Sequence, residues 1–150
     1  MEPSVVELAP GVLVGVLRNT SGQLYEVRST DYGATWETPR QTDLPCVEAI
    51  SKICTLASGR VLLVWNNQSS TTGHPRHPLA AAVSDDGCRT WGSPRILADE
   101  LGTNQLSNFT VEQLSDGRIL VCTSHYRSQP PPCSDLDMII FDEQWLDESS

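Results

Sequence analysis

Short apolar stretches, separated by turns that contain glycine, recur along the whole chain and predict β-strands. Pro10-Gly11, Ser58-Gly59 and Asp116-Gly117 each precede a run of β-branched residues and leucines. One more short apolar stretch comes before each turn, and another follows each run. No long stretch repeats apolar residues at intervals of three and four, so we predict no helix beyond a single turn in the tail 143–148.

A longer motif of the Asp-box type appears twice in register. The segments 29–40 and 84–95 share Ser, Asp, Thr, Trp, Pro and Arg at matching positions. In such a motif the carboxylate accepts backbone N–H bonds within a tight turn, and the Trp opens the outgoing strand and packs as an apolar anchor. We therefore assign Asp31 and Asp86 to turn structure rather than to catalysis.

The second Asp box departs from the first at one position. Gly33 in the first box allows a positive φ, whereas Cys88 stands at the matching position of the second box, with Gly87 one residue earlier. We therefore expect the second turn to be strained or rearranged.

The repeated unit contains strand, glycine turn, strand, loop, strand, Asp box and a last strand that starts at Trp. Four short antiparallel strands at a period near fifty residues predict an all-β fold, a β-propeller with four-stranded blades. The chain holds about three such blades, at roughly 1–44, 45–100 and 101–150, which form one partial domain. The third unit lacks an Asp box but keeps Trp145 after its strand.

Composition excludes several classes of function. The chain has 150 residues and a net charge of −9, which argues against a nucleic-acid partner because phosphate binding needs clustered Lys and Arg. The apolar runs are too short to cross a bilayer, and the start of the chain has no signal-peptide pattern. The five cysteines match no zinc or redox spacing, so we expect no metal, and the compartment stays undefined.

The Asp boxes in this setting resemble those of the sialidase superfamily, also called BNR-repeat proteins. The similarity runs from Glu2-Pro-Ser-Val-Val to Phe141-Asp-Glu-Gln-Trp and is typical of the C-terminal half of a sialidase domain. The resemblance implies a six-bladed propeller that hydrolyses α-ketosides of sialic acid without a cofactor. It also implies a site with three arginines for the sugar carboxylate, a Tyr nucleophile activated by Glu, and an Asp acid/base.

The resemblance assigns site residues one by one. Glu2 matches the Tyr-activating Glu, and it is the predicted catalytic residue of this chain. Arg18 and Arg76 match the second and third carboxylate-binding arginines, whose forked guanidinium suits bidentate bonds to a carboxylate. Asn66 and Asn108 are predicted to line the same pocket, and His74 and His77 are near Arg76 in the sequence.

The sequence departs from the family pattern at the position of the Tyr nucleophile. Asn108 stands where the Tyr is expected, and Tyr126, the nearest Tyr, lies at the far end of the next predicted strand. The resemblance places the first arginine and the Asp acid/base in blades before residue 1. The missing blades would come from a longer chain or from a second copy, because an open propeller leaves unpaired strand edges.

Two functions follow from these residues. The first is a sialidase-like glycoside hydrolase of the exo-α-sialidase type, or the C-terminal half of its propeller, acting on a sialylated glycan. The second is a divergent propeller without catalysis that binds a carbohydrate or another acidic ligand. A purely structural propeller is a third reading, because Asp boxes also occur in propellers without an active site.

Overall fold

The computed structural model describes residues 2–148. Residues 1, 149 and 150, at the outer limits of the predicted blades, lie outside the described residues. The fold is all-β, as predicted, with one short helix, α1 (Glu143–Asp147). The strands are β1 (Ser4–Ala9), β2 (Val12–Leu17), β3 (Gln23–Ser29), β4 (Arg40–Pro45), β5 (Lys52–Thr55), β6 (Val61–Asn66), β7 (Leu79–Ser84), β8 (Arg95–Ala98), β9 (Gln105–Gln113), β10 (Ile119–Arg127) and β11 (Cys133–Phe141).

The strands form three antiparallel sheets, each built from neighbours in the sequence. The first sheet has the order β1-β2-β3-β4, the second β5-β6-β7-β8, and the third β9-β10-β11. The third sheet therefore has three described strands, where the repeat predicted four, and α1 follows its last strand. Successive antiparallel meanders of this kind are consistent with a β-propeller-like fold, while the number of blades in a complete propeller stays a prediction.

Two apolar cores lie between the three sheets. The first core joins sheets one and two and contains Val14, Val16, Leu63 and the fully buried Trp65. The second core joins sheets two and three through alternate residues of the same strand β6, including Leu62 and Val64, against Phe109, Ile119 and Val121. Because successive side chains of a strand point to opposite faces, both faces of the second sheet are covered.

The strand directions give the molecule two distinct ends. The connections 18–22, 46–51, 67–78, 99–104 and 128–132 lie at one end, which we call the loop end. The glycine turns and both Asp boxes lie at the opposite end, which we call the box end. The sheets share this orientation because the start of β1 meets the start of β5, where Ser4 Oγ accepts from the Ile53 N–H at 3.1 Å.

The first Asp box is held by a closed set of hydrogen bonds. Asp31 Oδ1 accepts from the Thr35 N–H at 2.8 Å and from Ser29 Oγ at 2.8 Å. Asp31 Oδ2 accepts from Thr35 Oγ1 at 2.6 Å. These bonds, with that from the Thr35 hydroxyl the strongest, lower the pKa of Asp31 to about 2. The carboxylate is therefore committed to the turn, which agrees with its predicted structural role.

The second Asp box repeats these contacts in spite of its different sequence. Asp86 Oδ1 accepts from the Thr90 N–H at 2.9 Å, and Asp86 Oδ2 accepts from Thr90 Oγ1 at 2.7 Å. The φ angles of Gly87 and Cys88 are 71° and 66°, and those of the matching Tyr32 and Gly33 are 59° and 81°. The backbone of the second turn is therefore not rearranged relative to the first, and Cys88 has a strained left-handed conformation.

The tryptophans of the two boxes differ in burial. Trp91 packs against the core between sheets one and two, as predicted. Trp36 is 42% exposed, because it lies on the side of the first sheet that faces away from the second. Both Trp residues precede the last strand of their sheet rather than opening it, since β4 begins at Arg40 and β8 at Arg95.

Helix α1 fastens the third sheet to the second. Asp142 caps the helix by accepting from the Trp145 N–H at 2.8 Å. The guanidinium carbon of Arg95 lies 4.3 Å from the centroid of the Trp145 ring, a cation–π contact. Arg60 forms a bidentate pair with Asp147, with N–O distances of 2.9 and 2.7 Å. No helix within residues 2–148 has the length and apolar character needed to span a membrane.

Candidate functional site

The candidate site lies at the loop end, where two of the sequence-predicted residues meet directly. Glu2 stands just before β1, and Arg18 follows directly after the antiparallel neighbour β2. The end of one strand and the start of its antiparallel neighbour lie side by side. A guanidinium nitrogen of Arg18 donates to the Glu2 carboxylate. A single hairpin thus brings together Glu2 and Arg18, which are sixteen residues apart in the sequence.

Arg18 has a second carboxylate beside it that the sequence reasoning missed. Glu48, in the connection between β4 and β5, places Oε1 3.7 Å from Arg18 Nη2. Glu48 belongs to no motif of the repeat, and only its position after a strand that runs toward the loop end could have indicated it. The Arg18 side chain is 27% exposed, so its charge faces both the two carboxylates and the solvent.

Arg76, in the connection between β6 and β7, lies near Glu48 as well. A Cβ built on Gly73 would lie 3.6 Å from Arg76 Nη2 and 3.8 Å from the Glu48 carbonyl oxygen, so these three residues are neighbours. Arg76 Nε donates to the Gly73 carbonyl at 3.0 Å. The hydrogen bond from Arg18, and to a smaller degree the charge of Arg76, lower the pKa of Glu2. Glu2 is therefore ionised at neutral pH.

The connections that carry these residues also pack on one another. A Cβ built on Gly22 would lie 2.9 Å from Ser69 Oγ, so the β2–β3 and β6–β7 connections are in contact. Glu2, Arg18, Asn19, Thr20 and Glu48 line an open cleft with a volume of about 520 Å³. This volume falls within the range of about 300–1,000 Å³ that is usual for small-molecule sites.

Asn66 lies beneath this end rather than on its surface. Its side chain is fully buried, and its Nδ2 donates to the Leu106 carbonyl at 2.9 Å. The Leu106 N–H in turn donates to the Arg76 carbonyl at 2.9 Å. Asn66 therefore ties the second sheet to the third directly behind Arg76. Its Oδ1 has no hydrogen-bond partner among residues 2–148.

Asn108 lies in an irregular part of β9. The register between β9 and β10 shifts there, since Ser107 pairs with Ser124 and Thr110 pairs with Cys122. Asn108 has a φ of 52° and an exposed side chain between the buried Ser107 and Phe109. A β-bulge re-aims a side chain, and Asn tolerates a positive φ better than a bulky aromatic residue does.

Other ionisable groups at the loop end hold loops in place. His77 Nδ1 lies 3.1 Å from Asp99 Oδ1, which anchors the β6–β7 connection to the β8–β9 connection. The buried His125 on β10 lies between the carboxylates of Asp137, at 2.5 Å from Nδ1, and Glu100, beside Nε2. Across residues 2–148, no group of three or more His, Cys, Asp and Glu side chains is arranged to hold a metal ion.

The paired Asp boxes, the glycine turns and the stacked antiparallel sheets define an Asp-box protein of the BNR type. The match to the family described as BNR repeat-like domain covers residues 1–121. The chain belongs to this family, and the resemblance to the sialidase superfamily is thereby confirmed.

Solved structures of glycosidases share the fold. The NanB sialidase of Streptococcus pneumoniae, as its K499G mutant, matches 95% of this chain and 23% of its own length, with a TM-score of 0.73 and 21% identity. The intramolecular trans-sialidase of Ruminococcus gnavus matches 99% of this chain and 34% of its own length, with a TM-score of 0.70 and 20% identity. The GH93 α-L-arabinofuranosidase of Fusarium graminearum matches 94% and 47%, with a TM-score of 0.61 and 16% identity.

These similarities establish the fold alone, because sequence identity is low throughout. The chain spans about a quarter to a third of the length of the two sialidase structures. No curated protein matches the chain.

Proposed function

We propose that the chain forms part of a sialidase-like glycoside hydrolase and binds the carboxylate of an acidic sugar through Arg18 and Arg76. One observation supports this proposal: Arg18 and Arg76, in connections of the first and second sheets, both lie near Glu2 and Glu48 at the loop end, although Arg76 is not among the residues that line the cleft.

The chemistry of the group suits a carboxylate ligand. A guanidinium offers parallel N–H donors that match two carboxylate oxygens, and charge-assisted bonds are stronger than neutral ones. Arg18 already donates one charge-assisted bond to Glu2 and lies near Glu48. A sugar carboxylate of similar geometry would share or replace these protein carboxylates as the acceptor.

The role of Glu2 rests on the family resemblance and on its protonation state. In sialidases a carboxylate at this position acts as a base toward a Tyr nucleophile, because a charged nucleophile would be repelled by the substrate's own carboxylate. The bond from Arg18 lowers the pKa of Glu2, so the carboxylate is ionised at neutral pH but is a weaker base than a Glu without this partner.

The relatives favour this substrate class. The structures that share the fold include a sialidase and a trans-sialidase, and the latter is in complex with oseltamivir carboxylate. The GH93 enzyme, in complex with arabinobiose, has the same fold, so the fold is compatible with more than one glycoside.

A second candidate is binding of an acidic sugar without hydrolysis. Asn108 favours it, since this residue stands at the expected Tyr position and occupies a bulge with a φ of 52°. An amide side chain cannot act as the neutral nucleophile that the sialidase reaction needs.

The test compares binding of N-acetylneuraminic acid and its methyl ester, followed by NMR of the labelled chain. The acid is expected to perturb the signals of residues near Arg18 and Arg76, whereas the ester lacks the charge. Arg18→Gln and Arg76→Gln should each weaken binding about tenfold or more, since a charged hydrogen bond contributes about 1.5–3 kcal/mol.

Arg118→Gln is the matched control, because Arg118 is 55% exposed and lies at the box end. Equal binding of the acid and the ester, or equal losses in all three variants, would reject the carboxylate site. Release of the fluorophore from a fluorogenic sialoside separates the candidates when it is measured on a propeller that also contains the first arginine and the Asp acid/base, since a binder without catalysis then gives none.

A further inference from the structure

The β8–β9 connection, residues 99–104, carries the chain from the second sheet to the third, and two histidines contact it. His77, in the β6–β7 connection, places Nδ1 3.1 Å from Asp99 Oδ1 and Nε2 3.3 Å from the Gly102 carbonyl oxygen. Both neighbours are acceptors that have no hydrogen to donate. A neutral imidazole has one N–H and can donate to only one of them, whereas an imidazolium donates to both.

His125, on β10 of the third sheet, also has an acceptor beside each ring nitrogen. Its side chain is 7% exposed, and Nδ1 lies 2.5 Å from Asp137 Oδ2. Nε2 is in ion-pair contact with Glu100 Oε1 and has no well-directed hydrogen-bond partner among residues 2–148, so this contact depends on the charge of the ring. The hydrogen bond from Asn104, and to a smaller degree the charge of His125, lower the pKa of Glu100. Glu100 is therefore a charged partner at neutral pH.

The other charged groups around His125 leave an excess of negative charge. Arg127 Nη2 lies 3.2 Å from His125 Nδ1 and opposes a positive charge on the ring. Arg127 is itself paired with Asp135 of β11. On the other side of β10, His125 pairs with Leu106 of β9, which adds no charge. Three carboxylates and one guanidinium thus surround the ring, and this balance favours the imidazolium.

The His125 cluster lies between two sheets that the chain itself contains. Ile119 and Val121 are on the same face of β10 as His125, since alternate residues of a strand share a face. Both pack in the core between the second and third sheets. The surroundings of His125 are therefore set by contacts within residues 2–148.

The far end of the β8–β9 connection is attached by groups that do not titrate near neutral pH. Asn104 Oδ1 accepts from the Ser128 N–H at 3.0 Å and from Ser128 Oγ at 3.2 Å. Thr103 Oγ1 lies 2.7 Å from the same Ser128 hydroxyl. These contacts do not depend on the charge of an imidazole.

We propose that His77 and His125 form a pH-sensitive clamp on residues 99–102. The two imidazolium rings hold this segment against both sheets, and loss of their protons releases it while Asn104 stays attached. The clamp is closed in mild acid and opens as pH rises through the range in which imidazoles change charge, about pH 5 to 8. None of the clamp residues lines the cleft, so the proposal does not depend on sugar binding.

NMR relaxation of the labelled chain at about pH 5.5 and about pH 8.5 tests the clamp, because these values lie on either side of the imidazole range. The backbone order parameters of Glu100, Leu101 and Gly102 should fall from about 0.85 to below about 0.6 as pH rises. That of Asn104 should not change. The nitrogen signals of the imidazole rings show at each pH whether the histidines have lost their protons.

Substitutions assign the response to the two rings. The double variant His77→Gln and His125→Gln should have the same low order parameters at both pH values, and each single variant should lose part of the response. Asp99→Asn removes only a charge from a 63% exposed side chain, so it should weaken the His77 contact without endangering the fold. His74→Gln is the matched control, since His74 is exposed and lies in the same connection as His77.

Three outcomes would overturn the proposal. Residues 100–102 keep the same order after both rings have lost their protons, or the double variant responds to pH as the wild type does. In the third outcome, neither ring changes its protonation between the two pH values, so no clamp operates in this range. The wild-type comparison needs no substitution, so an unfolded variant cannot hide the result.

Discussion

Cys88 occupies the backbone position in the second Asp box that Gly33 occupies in the first, with φ angles of 66° and 81°. The preceding residues, Gly87 and Tyr32, are also left-handed. Each box therefore contains one glycine and one strained residue, in opposite order. A left-handed conformation costs an L-residue about 1–2 kcal/mol. The hydrogen bonds to the Asp carboxylate therefore offset the strain of one such residue in each box.

Replacing Gly33 with Ala would put two strained residues into the first box. We expect Gly33→Ala to lower the free energy of unfolding by about 1–2 kcal/mol, measured by urea denaturation. The new Cβ would also lie 3.3 Å from Leu13 Cδ1. Gly92→Ala is the control, since Gly92 follows the second box without a positive φ. An equal loss in both variants would show that strain is not the cause.

The Asp boxes should make stability fall in acid. The pKa of Asp31 is lowered to about 2 and that of Asp86 is also lowered, in both cases mainly by the Thr hydroxyl of the box. A group with a lowered folded-state pKa stabilises the fold above its unfolded pKa. This contribution is lost as pH falls from about 4 toward 2, which thermal unfolding across that range would detect.

The Thr hydroxyls identify the source of this acid response. The double variant Thr35→Val and Thr90→Val removes the strongest hydrogen bond to each Asp carboxylate. It should be less stable at neutral pH and should lose less stability on acidification. Thr38→Val, outside the hydrogen-bonded turn, should follow the wild-type profile. An unchanged acid response in the double variant would assign the loss to other carboxylates.

Glu48 should limit the affinity of the cleft for anions. Its carboxylate lies 3.7 Å from the Arg18 guanidinium and would compete with a ligand carboxylate. Removing one partly exposed ion pair changes a free energy by about 0.2–1 kcal/mol, so Glu48→Gln should tighten binding of N-acetylneuraminic acid by up to about fivefold. Binding of the methyl ester should not change. Weaker binding of the acid would instead show that Glu48 positions Arg18.

Arg60 should stabilise the contact between helix α1 and the second sheet. Its side chain is 18% exposed and forms a fork with the half-exposed carboxylate of Asp147. We expect Arg60→Lys to lower the free energy of unfolding by about 1 kcal/mol, since an ammonium cannot form the bidentate pair. A double-mutant cycle with Asp147→Asn measures the coupling energy between Arg60 and Asp147. Purely additive losses of stability would contradict the bidentate pair.

The strands and both Asp boxes could be predicted from the sequence because they depend on neighbours within a few residues. The meeting of Glu2 and Arg18 could also be predicted, since a hairpin brings together the ends of adjacent strands. Glu48 could not, because its distance from Arg18 depends on how two sheets pack. The exposure of Trp36 was missed for the same reason: its burial needs a neighbouring sheet that the repeat implies but residues 2–148 do not supply.

Because the loop end and the box end lie at opposite ends of the strands, the residues that hold the turns are separate from the residues of the loop-end connections. The hydrogen bonds that Asp31 and Asp86 accept close within single turns, and none of these bonds reaches the far side. The five loop-end connections can therefore change in length and chemistry while the frame persists. A surface organised in this way is modular, so new recognition loops can be grafted onto it without redesigning the scaffold.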